Sequence, residues 1–301
     1  MQAYDVQLED WRAGAPAPDG QGWCFGLPPG LRPEQWPLDP HTGLPMMHGF
    51  TLLLPEDYRV HGPDLVAVSF FATAPDGFDG SPMDGPEGMA EAVTAEAPPS
   101  DPALRPYWDR AQRSHPRLTR MEDILGCAFA AILLTAEEFT GPPCRPPAPV
   151  DSPLAAGAPA LDWLSRGSAA AYEAFNARLA PPVAADDPFL IHRPIRWQPR
   201  ASDPNAGKPP RESWDGTPPD GGYQSYFYWL DGKVEVENWR EHDWAAGHAP
   251  MHIGGTMRPV QAIPEFSPYY IEFEEDFGGY NFGGGNAQLD FKEMKFDWAC
   301  G

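Results

Sequence analysis

Apolar residues fall along this chain in two different rhythms. In Gly49-Phe50-Thr51-Leu52-Leu53-Leu54-Pro55 and Leu65-Val66-Ala67-Val68-Ser69-Phe70-Phe71-Ala72 they run almost unbroken, which predicts two strands buried on both faces. A charged turn around Glu56-Asp57 separates them. Further on the period becomes two. Tyr269-Tyr270-Ile271-Glu272-Phe273-Glu274 and Val234-Glu235-Val236-Glu237 alternate apolar with acidic, the pattern of a strand with one buried and one wet face. Asp231-Gly232 lies between the β-rich runs 223–230 and 233–239. Asp-Gly in that setting predicts a type I′ hairpin, and pairing it with 269–274 predicts an antiparallel sheet in the C-terminal half. Residues 128–134 are apolar without a readable period, so helix and strand both remain open there. Residues 168–179 carry helix formers with Tyr172, Phe175 and Leu179 on one face, which predicts an amphipathic helix.

The remaining stretches are punctuated by turn residues. The chain of 301 residues has 39 prolines and 30 glycines. Interior proline breaks helices, so this density argues for long loops around a sheet. Residues 1–47 read as an irregular opening segment, 74–103 as a surface excursion rich in Asp, Glu, Gly and Pro, and 143–159 as a linker. The fold expected is α+β, predominantly antiparallel sheet with few helices and long Pro/Gly-rich loops. It divides into an N-terminal half, 1–145, and a C-terminal half, 146–301.

Charge narrows the partners. The formal net charge is −22, which repels nucleic acid and anionic membrane surfaces and speeds encounter with basic proteins. Solubility alone is the plainer reading of the same number. The one basic island is 192–211, with Arg193, Arg196, Arg200, Lys208 and Arg211. It reads either as a solvated loop or as a patch for an acidic ligand or an acidic region of the same protein. Cys24, Cys127, Cys144 and Cys300 form no CxxC pair. The first residues show no basic-then-apolar leader, and the longest apolar run is too short for a bilayer. The expectation is reduced thiols in a cytoplasmic protein.

The search for chemistry returns candidates and no reaction. There is no G-x-S-x-G elbow and no P-loop. Gly278-Gly279-Tyr280-Asn281-Phe282-Gly283-Gly284-Gly285-Asn286 is glycine-rich but precedes no helix, so the helix N-terminus that holds phosphate is missing. It reads as a turn closing the C-terminal sheet. His248 and His252 have i, i+4 spacing, yet Pro250 and Gly254-Gly255 break a helix there. They are metal candidates only, and no metal site is assigned. The acidic loop with Asp76, Asp79, Asp84 and Glu87 lacks EF-hand spacing. Cys300, beside Asp297, reads as packing. No catalytic residue and no cofactor follows. Tyr226, Tyr228, Trp229, Trp239 and Trp244 cluster around the hairpin as a candidate binding face; loops covering that face are the equal alternative. Asn281 and Asn286 join them as candidates on the glycine-rich turn.

Several of these elements resemble the bacterial YwqG-like proteins. His252-Ile253-Gly254-Gly255 with Pro259 and Gln261 is similar to the family's glycine-pair element. The acidic strand, the 278–286 cluster and the ending Phe296-Asp297-Trp298-Ala299-Cys300 are similar to family features as well. Phe25-Gly26-Leu27-Pro28, Trp36-Pro37 and Gly43-Leu44-Pro45 resemble the family's opening, with Phe25 standing where the family has the first glycine of a pair. The resemblance implies a largely antiparallel α+β fold built from two related halves. It also implies membership among toxin-immunity systems. The function expected is therefore a non-enzymatic binder, an immunity-type inhibitor of a basic toxin or other protein. The alternative is a small-molecule- or metal-binding protein or hydrolase with its site near the C-terminal His/Gly-rich segment.

Overall fold

Continuous β-branched and aromatic runs become the sheet of this molecule, and its proline-rich stretches become the loops that cover one part of it. The computed structural model describes residues 1–17, 19–74, 84–155, 161–175, 183–212 and 222–301. In chain order the strands are β1 (Tyr4–Leu8), β2 (Gly22–Phe25), β3 (Met47–Leu53), β4 (Leu65–Ala72), β5 (Leu118–Glu122), β6 (Ala128–Thr135), β7 (His192–Pro199), β8 (Phe227–Trp229), β9 (Trp239–Glu241), β10 (His252–Ile253), β11 (Tyr270–Glu274), β12 (Asn286–Asp290) and β13 (Lys295–Ala299). The α-helices described are α1 (Met89–Thr94), α2 (Arg105–Ala111), α3 (Ala136–Phe139) and α4 (Trp163–Phe175). The fold is mostly antiparallel β with few helices, and the α+β label fits it only loosely.

Eleven strands form one sheet in the order β13-β12-β11-β10-β1-β7-β2-β3-β4-β6-β5. Its ends curl toward each other into a nearly closed barrel. Phe296 of β13 packs on Phe129 of β6 with ring centroids 4.0 Å apart, and the Trp298 indole donates to Asp123 beyond β5. The interior is aromatic: Phe50, Phe70, Phe273, Phe277, Phe282 and Phe296 form one buried cluster.

The pairing register repeats about an axis through the Gln7–Arg196 pair of β1 and β7. Val6 opposite Trp197 exchanges with Leu8 opposite Ile195. Asp5 stands opposite His252 of β10, as Pro194 stands opposite Trp23 of β2. Tyr4 opposite Ile253 matches Arg193 opposite Cys24. Each long segment thus lends its first strand to the other: β1 leads the β10–β13 set and β7 leads the β2–β3–β4–β6 set. The turns that follow β2 and β10 match as well. Phe25 and Gly26 take φ of 64° and 63°, and Gly254 and Gly255 take 61° and 82°. At Gly254 a Cβ would sit 1.8 Å from the Tyr58 hydroxyl, so only glycine fits that left-handed position.

Several expectations need correction. The opening segment 1–47 is not irregular, since it supplies β1 and β2; five and four residues are too short for periodicity to reveal. The 128–134 ambiguity resolves as strand β6. The excursion 74–103 contains α1, while Asp76 and Asp79 lie outside the described residues. The predicted helix 168–179 starts earlier, at Trp163, and breaks at Gly167, whose φ is 79°. Tyr172 is buried, whereas Leu179 and the linker residues 156–159 lie outside the described residues.

The hairpin also differs. Asp231 and Gly232 do adopt the left-handed conformations of a type I′ turn, but the strands that pair are Phe227–Trp229 with Trp239–Glu241. Val234 and Val236 are 62% and 88% exposed, so their alternation buries nothing. This two-stranded ribbon is separate from the main sheet, and β11 pairs with β10 and β12 instead. Among the described residues no second layer packs on the 233–237 stretch, which is exposed, so the amphipathic pattern there finds no core.

The basic island is no solvated loop. Its first part is β7, and Arg193, Arg196 and Arg200 meet acids of the same chain, while Lys208 and Arg211 bond the Gly222 and Pro210 carbonyls. Arg196 pairs with Glu9 at 2.5 Å and Arg193 with Asp276 at 3.4 Å. Arg200 is buried and holds Asp5 and Asp203, each at 2.8 Å. Burial works to raise the Asp203 carboxyl, but bonds from Thr256 and Arg200 outweigh it and hold the carboxyl below its usual range. A buried charge network of this kind is strongly destabilised by losing one partner.

Candidate functional site

Both strand sets present an outer face, and these faces differ in chemistry. Across β2, β3, β4 and β6 the row reads Trp23, Thr51, Ser69, Ile132. Across β10, β11, β12 and β13 the matching row reads His252, Glu272, Gln288, Asp297. The first row is sealed under Trp36, Phe139, Leu161 and Trp163. Its hydroxyls satisfy one another: Thr51 meets Ser69 at 2.7 Å and His48 at 2.9 Å. Burial drives the His48 imidazole down to about 4, so it is neutral inside this layer.

Beside the second row, whose His252, Glu272 and Gln288 are buried, lies a cavity of about 440 Å³ that Glu272 helps to line. Its walls include Glu272, Glu274, Glu275, Asp276, Asn286 and Arg258. The period-2 alternation of β11 puts Glu272 and Glu274 on this face while Ile271 and Phe273 enter the core. Glu272 is buried. It accepts from the Arg258 amide at 2.9 and 3.1 Å and from Gln288 at 3.3 Å, and it lies 3.4 Å from His252 Nε2. Burial, and after it Asp276 and Glu272, push the Glu274 carboxyl up. Glu275 Oε1 accepts from the Phe282 and Gly284 amides at 2.5 and 2.9 Å. The glycine-rich turn therefore does bind an anion with its backbone amides, and that anion is a carboxylate of its own chain. Asp276 keeps one oxygen near Arg193, while its Oδ1 is buried without a hydrogen-bond partner.

A second cavity of about 320 Å³ adjoins the first. Tyr226, Phe227, Trp229, Trp239, Met257 and Ile263 are on its walls, and Val260 belongs to both cavities. Phe227 stacks on Trp239 at 6.1 Å, with Tyr226 and Trp229 edge-on around the pair. Arg258 stands between the two spaces. Its guanidinium lies 4.8 Å over the Tyr226 ring and bonds Glu241 and the Ala245 carbonyl at 2.6 Å each.

Of the residues predicted from sequence, Tyr226, Trp229 and Trp239 come together in this aromatic cavity. Tyr228 and Trp244 do not line it. They form a separate stack in which Tyr228 meets His242 at 4.7 Å, His242 meets Trp244 at 5.4 Å, and Trp244 meets His248 at 6.0 Å. His248 belongs to that stack, and His252 Nδ1 bonds the Gly254 carbonyl at 2.8 Å inside the sheet. Among the described residues no group of three or more His, Cys, Asp or Glu is arranged to hold a metal. Asn286 bonds the Val260 amide and the Arg258 carbonyl, each at 3.0 Å, fixing the ridge between the cavities. Asn281 accepts from the Gly283 amide within the turn. Sequence reasoning did not single out Glu272, Glu274, Glu275, Asp276 or Arg258. With 43 acids in the chain no pair stood out, although the alternation of β11 carried the signal.

The geometry defines a mostly-β protein whose second strand set exposes an acidic cavity beside an aromatic one. Compared with family models, curated proteins and solved structures, the chain matches none. The likeness to YwqG-like proteins rests on the quoted motifs alone. Among the described residues no helix is long and apolar enough to cross a membrane.

Proposed function

We propose that this chain is a non-enzymatic binding protein that captures a basic protein, in the manner of an immunity-type inhibitor. The observation that carries this reading is the acidic cavity on the outer face of β11 and β12, where the matching face of β3 and β4 is sealed. Glu274 keeps capacity for an incoming cation: it is exposed and forms no ion pair among the described residues, whereas Asp276 already shares one oxygen with Arg193. The net charge of −22 adds long-range steering toward a basic partner. The repeated register favours reading the two strand sets as related units, one closed for stability and one left open for contact.

The test is association with poly-L-lysine and with polyglutamate as probes. Poly-L-lysine is expected to bind and to lose at least ~tenfold in affinity between ~50 and ~500 mM salt, because exposed charge pairs are screened over that range. Equal affinity for both polymers, or binding indifferent to salt, would remove charge as the basis of recognition.

A further inference from the structure

The acidic and aromatic cavities share a wall, and that wall is rigid. The ridge at Arg258–Val260 is pinned to β11 through the Arg258 amide on Glu272 and to β12 through the Val260 amide on Asn286. Gln261 continues it with a bond to the Cys300 carbonyl at 3.0 Å. Val260 is 46% exposed at the crest. The Arg258 guanidinium is engaged by Glu241, Ala245 and the Tyr226 ring, so it does not neutralise Glu274 or Asp276.

We propose that the two cavities are adjacent subsites of one groove for an extended peptide segment of a partner protein. An Arg or Lys side chain enters the acidic cavity, and an aromatic or large aliphatic side chain two residues along, on the same face of the peptide, enters the aromatic cavity. This inference rests on the basic-partner reading and gives it a recognition rule. Each volume, about 440 and 320 Å³, falls in the range that holds a ligand group. An extended peptide sends every second side chain to the same side, about 7 Å apart, which suits two spaces divided by a single ridge.

Charge chooses the occupant. A second copy of this chain, at −22, is repelled, as are nucleic acid and anionic lipid. A purely apolar segment would cover the exposed Glu274 carboxylate without a partner, and a purely basic one would leave the aromatic walls wet. The unusual element is an exposed carboxylate, Glu274, in one cavity and a preformed aromatic box in the other, with Val260 on the wall they share.

The experiment is calorimetric titration of the full chain with four short peptides that are identical except at positions i and i+2, which read Trp-Arg, Trp-Gln, Ala-Arg and Ala-Gln across a constant middle residue. The Trp-Arg peptide is expected to bind tightest, and loss of either side chain to weaken binding by about tenfold or more. Glu274→Gln should weaken the Arg-containing peptides and leave Trp-Gln unchanged. Trp239→Ala should weaken the Trp-containing peptides and leave Ala-Arg unchanged. Both positions are partly exposed, and a thermal melt of each variant reports its folding independently. Four peptides within twofold of one another, or either variant weakening all four alike, overturn the two-subsite groove. If the peptides fail while poly-L-lysine still binds with steep salt dependence, the groove is wrong and the basic-partner reading stands. If poly-L-lysine fails too, both fall.

Discussion

Two sets of strands in this molecule share a pairing register and differ in what lies on their outer face. Over β2, β3, β4 and β6 that face is Trp23, Thr51, Ser69 and Ile132, covered by proline-rich loops and by α3 and α4. Over β10 to β13 it is His252, Glu272, Gln288 and Asp297, with the 257–266 segment covering the Tyr270 end through Met257 and Phe266 and crossing to Glu272 and Asn286 through the Arg258 and Val260 amides. The backbone frame is the same, so the side chains decide. An apolar row gains by burying itself under a second layer. A carboxylate is sealed only where its charge is satisfied: Glu272 is buried against the Arg258 amide and Gln288, while Glu274 at the end of the same face stays exposed.

Both sets share the aromatic interior, and the largest effects should fall there. Phe70→Ala and Phe273→Ala remove buried rings that face each other at 6.0 Å. Each is expected to cost ~3–5 kcal/mol, with one cooperative denaturant transition in both cases. Two separated transitions would show that the sets unfold independently.

The matched turns provide the next test. Gly254→Ala meets the Tyr58 hydroxyl and a left-handed φ of 61°, so a loss of at least ~2 kcal/mol is expected. Phe25 holds the equivalent conformation at 64° without glycine, because its ring packs between Trp11 and Tyr172. Phe25→Gly should therefore also destabilise, by ~2–4 kcal/mol, with ring loss exceeding backbone relief. A stabilised Phe25→Gly, measured by chemical denaturation, would break the equivalence of the two turns.

Acid should act on the two sets with opposite sign. His48 lies in the sealed face with its folded value lowered by burial from 6.5 to about 4. As pH falls below 6.5 the unfolded chain takes up this proton and the folded chain does not, so stability drops toward pH 4 by up to ~3 kcal/mol. His115 and His192, also lowered by burial, push the same way. His48→Gln should flatten part of that slope. Glu274 on the open face is raised, so its contribution to stability is present at low pH and is lost as pH rises through the raised value. Glu274→Gln should accordingly stabilise the free protein at neutral pH by less than ~0.5 kcal/mol, given its partial exposure. A destabilised Glu274→Gln at neutral pH would mean that the carboxylate is structurally satisfied and not held for a ligand.

The smallest effect is expected on the ribbon. Val236→Ser should change stability by less than ~0.5 kcal/mol, because Val236 is 88% exposed. A larger loss in melting experiments would indicate that this valine is covered in solution.

Much of the sheet was legible in local pattern. The unbroken apolar runs became β3 and β4, buried on both faces, and the Tyr-Ile-Glu-Phe-Glu alternation became β11 with its acids turned outward. Periodicity reports which faces of a strand are apolar, and in these strands tertiary contacts agree with it. It failed at Val234 and Val236, where an amphipathic pattern meets no second layer. It also failed at β1 and β2, where four or five residues hold too little period to read. The aromatic half of the site was visible because Tyr226, Trp229 and Trp239 are close in sequence. The acidic half was hidden because Arg258, Glu274 and Asn286 lie on three segments brought together only by the β11–β12 pairing.

By itself the sequence determined the β-rich character of the chain, the strands of strong period, the left-handed turn at Asp231-Gly232 and the acidic field around the molecule. These follow from residue-level preferences and from summed charge. Tertiary structure alone decided that β1 and β7 are exchanged between the two strand sets and that Arg193, Arg196 and Arg200 are consumed by Asp276, Glu9, Asp5 and Asp203. It also decided which of the 43 acids face a cavity. Those outcomes depend on register between distant segments, and register is set by the packing of whole faces, which no local stretch of the chain contains.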